Sequence, residues 1–264
     1  MIANPEPDKD FPWWLVLVAG VGAYFLYRIV SDDLYTQVLT TLTRGAGITI
    51  FVTLIGFATA SAIGLLLALG TMSRWLVLRQ LSRLYIEVIR GIPILVLLLY
   101  VAFVLAPAAV ALWNWATGWS GIDPLRTRDF PMLWRAIMAL TIGYSAFIAE
   151  VFRAGLQSVE KGQIEAAEAL GMNRWLRFRF IGFPQAIRTI LPPLGNDFVA
   201  MVKDSSLVSV LGVLDITQLG KLTAAGNFRY FETYNVVALL YLFMTITLSI
   251  LLRRLEARMR NKPG

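Results

Sequence analysis

Residues 47–70 read GITIFVTLIGFATASAIGLLLALG, a stretch without a charged side chain. A helix needs about 20 mostly apolar residues to cross the hydrocarbon core of a bilayer, so this segment predicts a membrane-spanning helix. Small residues recur at every fourth position along one of its faces, at Gly56, Ala60, Gly64 and Ala68. Small side chains at this spacing let a second helix approach closely in lipid, and we interpret them as a packing face.

Further apolar stretches on both sides of this segment are long enough to span a membrane. They cover about residues 12–30, 84–111, 132–152, 190–219 and 234–252. The fourth of them is interrupted near its middle by the polar run that begins at Lys203. Two apolar pieces around a polar break are typical of the discontinuous helices of transporters. The pattern predicts an all-α membrane protein with six transmembrane helices.

The composition supports a membrane protein and excludes several kinds of chemistry. Apolar residues make up 57% of the 264 residues and charged residues 16%, against about 45–50% and about 25% in soluble domains. The sequence contains neither histidine nor cysteine. Hydrolysis by a Ser-His-Asp triad, histidine or thiolate metal centres and disulfides are therefore excluded. We expect no catalytic residue and no metal site.

The net charge of +7 is best explained by membrane topology. If the spans alternate in direction, the basic residues concentrate on one side, in segments 72–90, 153–190 and 253–262. Loops rich in lysine and arginine face the cytoplasm, so both termini are predicted to be cytoplasmic. The charge therefore does not indicate a nucleic-acid partner.

The longest segment between spans contains a strong helix signal. Residues 163–172 read QIEAAEALGM, in which Ala, Glu, Gln and Leu favour a helix. Gly171 is suited to end that helix, and Asn173 is suited to cap a second, arginine-rich one. The small Ala166 and Ala167 would let a neighbouring surface come close, while Glu165 and Glu168 could pair with an arginine on it. A solvated amphipathic connector is the alternative interpretation.

These residues resemble the cytoplasmic motif of bacterial ABC importer permeases. The match consists of Glu165-Ala166-Ala167, Gly171, Ile181 and Phe183-Pro184, with Phe183 where the family usually has Leu. Four further blocks, at 87–93, 145–153, 191–196 and 203–207, resemble the polar amino acid uptake permeases, although Ile92 and Ser205 stand in place of Thr. The resemblance covers about residues 40–254.

The resemblance implies a fold and a division of the chain. It implies a five-helix importer permease core at 36–255, preceded by an N-terminal tail and one extra transmembrane helix at 1–35. The coupling segment would be about 158–180, and a basic cytoplasmic tail would follow at 256–264. The coupling helix would contact an ATPase through a set of six residues: Gln163, Glu165, Ala166, Ala167, Glu168 and Gly171.

The resemblance also implies partners. These are two cytoplasmic ATP-binding subunits, a second permease that is identical or homologous, a periplasmic or lipid-anchored amino acid binding protein, and membrane lipid. The sequence lacks a Gly-x-x-x-x-Gly-Lys-Ser/Thr phosphate loop, since Gly220-Lys221 is followed by Leu. We therefore expect no cofactor in this chain and no enzymatic activity of its own, with ATP and Mg bound by the partner ATPase. The expected location is the bacterial inner membrane.

Charged groups inside an apolar region are candidates for substrate binding, because each costs at least about 2.5–3.5 kcal/mol at the centre of a membrane helix. We predict that the break in the fifth span contacts the substrate through Lys203, Asp204, Ser205 and Ser206. Asn196 and Asp197, about two turns earlier, are further candidates. The alternative is that Lys203 and Asp204 are purely structural and pair with each other or with another helix. Structural i, i+3 pairs are predicted for Glu150 with Arg153 and for Glu87 with Arg90.

Other functions stay open at this point. The same architecture could import a phosphonate, a betaine or an oligopeptide. A channel or structural membrane subunit without ATP coupling belongs to a different class and predicts that changes at Glu165 or Gly171 leave function intact. An intramembrane enzyme is disfavoured by the missing histidine and cysteine.

Overall fold

The computed structural model describes residues 13–260, and every regular element in this range is helical. The α-helices are α1 (Trp13–Ser31), α2 (Asp33–Thr71), α3 (Leu76–Gly91), α4 (Ile94–Tyr100), α5 (Ala106–Thr117), α6 (Met132–Gln157), α7 (Lys161–Ala169), α8 (Arg174–Arg177), α9 (Phe183–Asp204), α10 (Ile216–Asn227) and α11 (Tyr230–Arg260). Single π-helical segments join α4 to α5 and α8 to α9, and 3₁₀ turns cover Thr127–Asp129 and Ser205–Leu211. The parts of the predicted tails at 1–12 and 261–264 lie outside the described residues.

Within residues 13–260, four helical runs are long and apolar enough to cross a membrane: Asp33–Thr71, Ile94–Thr117, Met132–Gln157 and Tyr230–Ala257. Val16–Ser31 is a shorter apolar helix. The bounds predicted for the third span, 84–111, are wrong. The helix breaks at Ile92, because the α region is disfavoured for a residue before proline, and the apolar run begins after Pro93.

The centre of the fold is the contact between α2 and α6. The small residues predicted to form a packing face are buried, at Gly56, Ala60, Gly64 and Ala68. A Cβ atom at Gly64 would lie 2.9 Å from the Ile148 side chain and 3.1 Å from the backbone nitrogen of Ala149. The two backbones thus approach as closely as the sequence pattern indicates, and the predicted packing face is confirmed.

The extra N-terminal helix, α1, packs against the start of α2. The side chain of Asp32 accepts a hydrogen bond from the Leu34 amide over 3.0 Å and forms an ion pair with Arg28, also over 3.0 Å. A second apolar cluster, built around Tyr35, Leu42 and Val236, joins α1 and α2 to α11. At the other end of the chain α11 continues to Arg260, so the beginning of the predicted tail at 256–264 is helical.

The predicted helix–turn–helix after α6 is confirmed. α7 ends at Ala169, and Gly171 adopts φ +76°, a left-handed conformation that glycine reaches without a Cβ clash. The Oδ1 atom of Asn173 accepts a hydrogen bond from the Leu176 amide over 2.9 Å and caps α8. The turn therefore holds α7 against the arginine-rich segment that leads into α9.

Candidate functional site

Two helix breaks border a single cavity of about 530 Å³. One break lies between α3 and α4 at Gly91–Pro93, and the other lies where α9 ends at Asp204. The third wall is α6, which contributes Tyr144 and Phe147. Because Tyr144 lies at the middle of the span Met132–Gln157, the cavity is placed near half the depth of that span.

The polar lining of this cavity combines one guanidinium with two carboxylates. Arg90, at the end of α3, lies over the ring of Phe147 with its Cζ atom 5.7 Å from the ring centroid. The phenolic hydroxyl of Tyr144 donates a hydrogen bond to the Oδ2 atom of Asp204 over 2.8 Å. Asp197, on α9, also lines the cavity, and its buried Oδ2 atom has no hydrogen-bond partner among residues 13–260.

This arrangement suits a ligand that bears both charges. A guanidinium binds a carboxylate through two parallel hydrogen bonds. A buried acceptor without a partner costs about 1–3 kcal/mol, and more when it is charged, so an ammonium group placed near Asp197 would be stabilised. The cavity thus offers complementary groups to a small zwitterion.

The predicted site residues fall in different places. Asp204 lines the cavity, whereas Lys203 is exposed and has no ion-pair partner among the described residues. The Ser205 hydroxyl is buried and donates to the Val202 carbonyl over 2.7 Å. Ser206 is half-buried and Asn196 is exposed, and neither lines the cavity. Lys203 and Asp204 therefore do not pair with each other, but Asp204 does bond to another helix through Tyr144, as the structural alternative also allowed.

One cavity residue was missed as a site candidate. Arg90 was assigned to an ion pair with Glu87, and that prediction is wrong: the ion pairs of residues 13–260 do not include it. The predicted Glu150–Arg153 pair is confirmed. The signal for Arg90 was its position directly before the Gly91-x-Pro93 break, since a charge beside a helix break faces the space that the break opens. Asp197, by contrast, was a candidate together with Asn196, and it lines the cavity.

The predicted coupling residues separate into an inner and an outer group. Ala167 is 3% exposed, and the Oε2 atom of Glu168 forms an ion pair with the Nη1 atom of Arg177 over 2.8 Å. Both of them hold α7 to its own chain: Ala167 by burial, and Glu168, whose side chain is 65% exposed, by its ion pair. The outer group is exposed and consists of Gln163, Glu165, Ala166 and Gly171. Gln163 also accepts a hydrogen bond from Gln185.

Leu170 is an exposed apolar residue beside this outer group. It is 82% exposed at the turn that ends α7, and it was not among the predicted coupling residues. An isolated exposed leucine is ordinary on a protein surface. Here it adjoins a helix whose small and acidic outer residues leave room for a neighbour, which makes it a candidate contact.

A helical bundle of apolar spans with a charged cavity between two broken helices defines a membrane transport protein. Residues 60–261 match the model of the family described as binding-protein-dependent transport system inner membrane component. The chain belongs to this family. It is therefore a multi-pass permease of the ABC transporter class, as the coupling motif indicated.

Individual relatives agree with this assignment. The chain is 38% identical to the glutamine transport system permease protein GlnP of Escherichia coli K12, over 83% of this chain and 93% of the relative. It is 39% identical to the probable amino-acid permease protein YxeN of Bacillus subtilis, over 84% of this chain and 92% of the relative. Both relatives are matched over nearly their whole length.

Solved structures show the same fold. A crystal structure of an amino acid ABC transporter with histidines superposes with a TM-score of 0.71 and 36% identity, over 87% of this chain and 98% of that chain. The MetNI methionine ABC transporter in an inward-facing form superposes with a TM-score of 0.60 at 20% identity, over 87% and 99%. This second likeness supports the fold alone.

Proposed function

We propose that the chain forms the translocation path of an ATP-driven importer for polar amino acids. The observation that carries the substrate class is the convergence of Arg90, Asp197 and Asp204 on one cavity. An α-amino acid presents a carboxylate and an ammonium group on adjacent atoms, so it needs a cation and an acceptor within one small space. The names of the relatives, which include glutamine and amino acid permeases, support the same class.

In this proposal each polar group has a defined task. Arg90 binds the α-carboxylate, and the ring of Phe147 beneath it restricts the guanidinium. Asp197 and Asp204 accept from the α-ammonium group, with Tyr144 holding the Asp204 carboxylate in place. Lys203, Ser206 and Asn196 lie outside the cavity wall of this chain. They are proposed to contact substrate on a face that a second permease, identical or homologous, would complete.

The energy for transport comes from ATP hydrolysis by partner chains. Two cytoplasmic ATP-binding subunits bind ATP and Mg, and a periplasmic or lipid-anchored binding protein delivers the amino acid to the outer face. The ATPase groove receives α7 through Glu165, Ala166, Leu170 and Gly171, while Ala167 and Glu168 transmit the movement into the chain that they contact. The topology in this proposal has six spans, α9 included, with both termini in the cytoplasm of a bacterial cell.

The substrate class is tested by direct binding to the purified permease complex without its binding protein. Labelled glutamine is the probe, and the competitors are glutamine derivatives that lack either the carboxylate or the ammonium group. We expect neither derivative to compete. Arg90→Gln should weaken binding about 10- to 100-fold, because a charge-assisted hydrogen bond contributes about 1.5–3 kcal/mol. Arg83→Gln, on the same helix but outside the cavity, is the matched control.

One outcome would reject the substrate class. If ATP hydrolysis by the complete transporter is stimulated by a solute that is not an amino acid, together with its binding protein, and not by any amino acid, the cavity serves another ligand. If the Arg83→Gln and Arg90→Gln variants bind glutamine equally well, Arg90 does not contribute to the binding site.

A further inference from the structure

A second cavity, of about 460 Å³, lies between the coupling helix α7 and the body of the bundle. Its charged lining consists of Arg74, Arg174, Arg177 and Glu168. Three guanidinium groups and one carboxylate leave a net charge of +2 at this position. We refer to this cavity as the basic pocket.

Two of these arginines are available to bind an anion. Arg177 already forms an ion pair with Glu168 over 2.8 Å. Arg74 and Arg174 have no ion-pair partner within residues 13–260. The planar guanidinium group matches the geometry of phosphate oxygens, and two unpaired guanidinium groups in one cavity favour a phosphate-bearing ligand.

The rest of the lining is apolar. It includes Leu156, Val159, Ile164 and Phe178. The segment that supplies Arg174 and Arg177 also presents Trp175 and Phe180, which are 67% and 61% exposed. A free phosphate or a soluble sugar phosphate gains nothing from such a wall. A ligand with a phosphate at one end and hydrocarbon at the other would contact both halves.

The position of the basic pocket agrees with the headgroup layer of a bilayer. Arg74 follows the end of the long span α2, and Leu156 and Val159 flank the end of the span α6. Tryptophan and tyrosine are enriched at the membrane interface, and the exposed Trp175 fits that position. Basic pockets between transmembrane helices on the cytoplasmic side bind anionic lipid headgroups.

We infer that the basic pocket binds the phosphate of an anionic phospholipid from the cytoplasmic leaflet, directly behind the coupling helix. Ile164 and Glu168 of α7 line this pocket, so a bound lipid stabilises the position of the helix that contacts the ATPase. Lipid occupancy therefore raises the fraction of ATP hydrolysis that is coupled to uptake. The inference rests on the proposed function in two respects: that the basic pocket faces the cytoplasmic leaflet and that α7 contacts the ATPase. The binding of a lipid does not itself depend on either.

The test uses the complete transporter with its ATP-binding subunits in nanodiscs of phosphatidylcholine, with and without phosphatidylglycerol. Native mass spectrometry measures the phosphatidylglycerol retained after release from the discs. The test variant combines Arg74→Gln with Arg174→Gln and leaves the Arg177–Glu168 pair intact. The control combines Arg253→Gln with Arg254→Gln, which removes the same charge from the same predicted side but outside the basic pocket.

We expect the wild type and the control to retain phosphatidylglycerol and the Arg74/Arg174 variant to bind it about 30-fold more weakly, since each basic residue near a membrane surface contributes about 1 kcal/mol. Phosphatidylglycerol should also raise uptake per ATP hydrolysed in the wild type and the control. Equal retention in both double variants would overturn the inference.

Two further outcomes would assign the basic pocket to another ligand and would overturn the inference that it binds a phospholipid. Displacement of phosphatidylglycerol by inorganic phosphate, with the same rise in coupling in phosphatidylcholine discs, would indicate a soluble anion. Retention by the isolated permease that is lost once the ATP-binding subunit is present would indicate that a partner chain fills the pocket. Retention of phosphatidylglycerol is measured without ATP hydrolysis, so it tests this inference independently of the proposed function. Failure of the proposed function would instead abolish amino acid uptake in every lipid.

Discussion

Tyr144 at the middle of α6 donates a hydrogen bond to Asp204 at the last residue of α9, over 2.8 Å. The two residues are far apart in sequence, and each lines the cavity between the broken helices. This bond joins the most buried of the candidate spans to the point where α9 changes into a 3₁₀ turn. It determines where the Asp204 carboxylate lies when the cavity is empty.

Removing this donor should weaken substrate binding while leaving the fold intact. Tyr144→Phe keeps the ring and deletes the hydroxyl, so the Asp204 carboxylate loses a hydrogen bond that contributes about 1.5–3 kcal/mol. We expect the affinity of the permease complex for glutamine to fall about tenfold or more, measured by equilibrium binding. Tyr85→Phe removes a hydroxyl that contacts Ser145 outside the cavity, and it should leave affinity unchanged. Unchanged affinity in Tyr144→Phe would exclude the bond from substrate binding.

The Asp197→Asn substitution should raise the stability of the permease and lower its affinity for substrate. The Oδ2 atom of Asp197 is buried without a partner in the described residues, so Asp197→Asn removes the cost of desolvating an unpaired carboxylate. The empty permease is expected to gain roughly 1–2 kcal/mol, seen as a higher unfolding temperature in detergent, while its affinity for glutamine falls. Asp123→Asn, at an exposed position of the loop before α6 and outside the cavity, is the control. A variant that loses both stability and binding would mark Asp197 as structural.

The turn after α7 tests ATP coupling. Gly171 has φ +76°, so Gly171→Ala places a Cβ in the left-handed region at a cost of about 1–2 kcal/mol and reorients α7. We expect reduced binding of the ATP-binding subunit and reduced uptake, with normal insertion into the membrane. Gly162→Ala, at a helical position with open space around it, should be neutral.

Glu165→Lys gives a second measurement of the same surface without backbone strain. It reverses the charge at an exposed position of α7, and pull-down with the ATP-binding subunit should lose most of the complex. A channel or structural subunit without ATP coupling predicts that neither Gly171→Ala nor Glu165→Lys has an effect, and that result would replace our proposal.

The contact between α2 and α6 should tolerate no added volume at its closest point. Gly64→Ala would place a methyl group 2.9 Å from Ile148 and 3.1 Å from the Ala149 nitrogen, and overpacking of this kind costs about 1–3 kcal/mol. The expected result is a lower unfolding temperature of the permease. Gly47→Ala, on the same helix with nothing within 4 Å, should change it little or raise it slightly. Equal behaviour of the two variants would mean that the helices are not packed as described.

Much of the fold could be predicted because its signals are local. Charge-free stretches, the spacing of small residues from Gly56 to Ala68, the left-handed glycine at 171 and the cap at Asn173 each act through neighbours within about one helical turn. The break at Asp204 was predicted for the same reason, since a polar run inside an apolar helix is visible in the sequence alone. Where a prediction of bounds failed, at the third span, the effect of Pro93 on the residue before it was underestimated.

The binding site was predicted in part. Asp204 was identified by its own segment, but its partner Tyr144 lies on another helix and carries no signal that distinguishes it from a core tyrosine. Arg90 was assigned to Glu87 because i, i+3 spacing was the available argument, whereas in the fold its guanidinium lies over Phe147 of α6. Likewise Glu168 pairs with Arg177 of its own chain, a contact across the turn that α7 alone does not reveal.

The sequence by itself determined that this chain has membrane-spanning helices, where α9 breaks and which family the chain resembles, because hydropathy, helix propensity and backbone restriction are properties of short segments. The tertiary structure alone decided which charges meet. Electrostatic complementarity depends on distances between groups from different helices, and those distances exist after α3, α6 and α9 have packed. The cavity that unites Arg90, Asp197 and Asp204, and the basic pocket behind α7, are therefore properties of the fold.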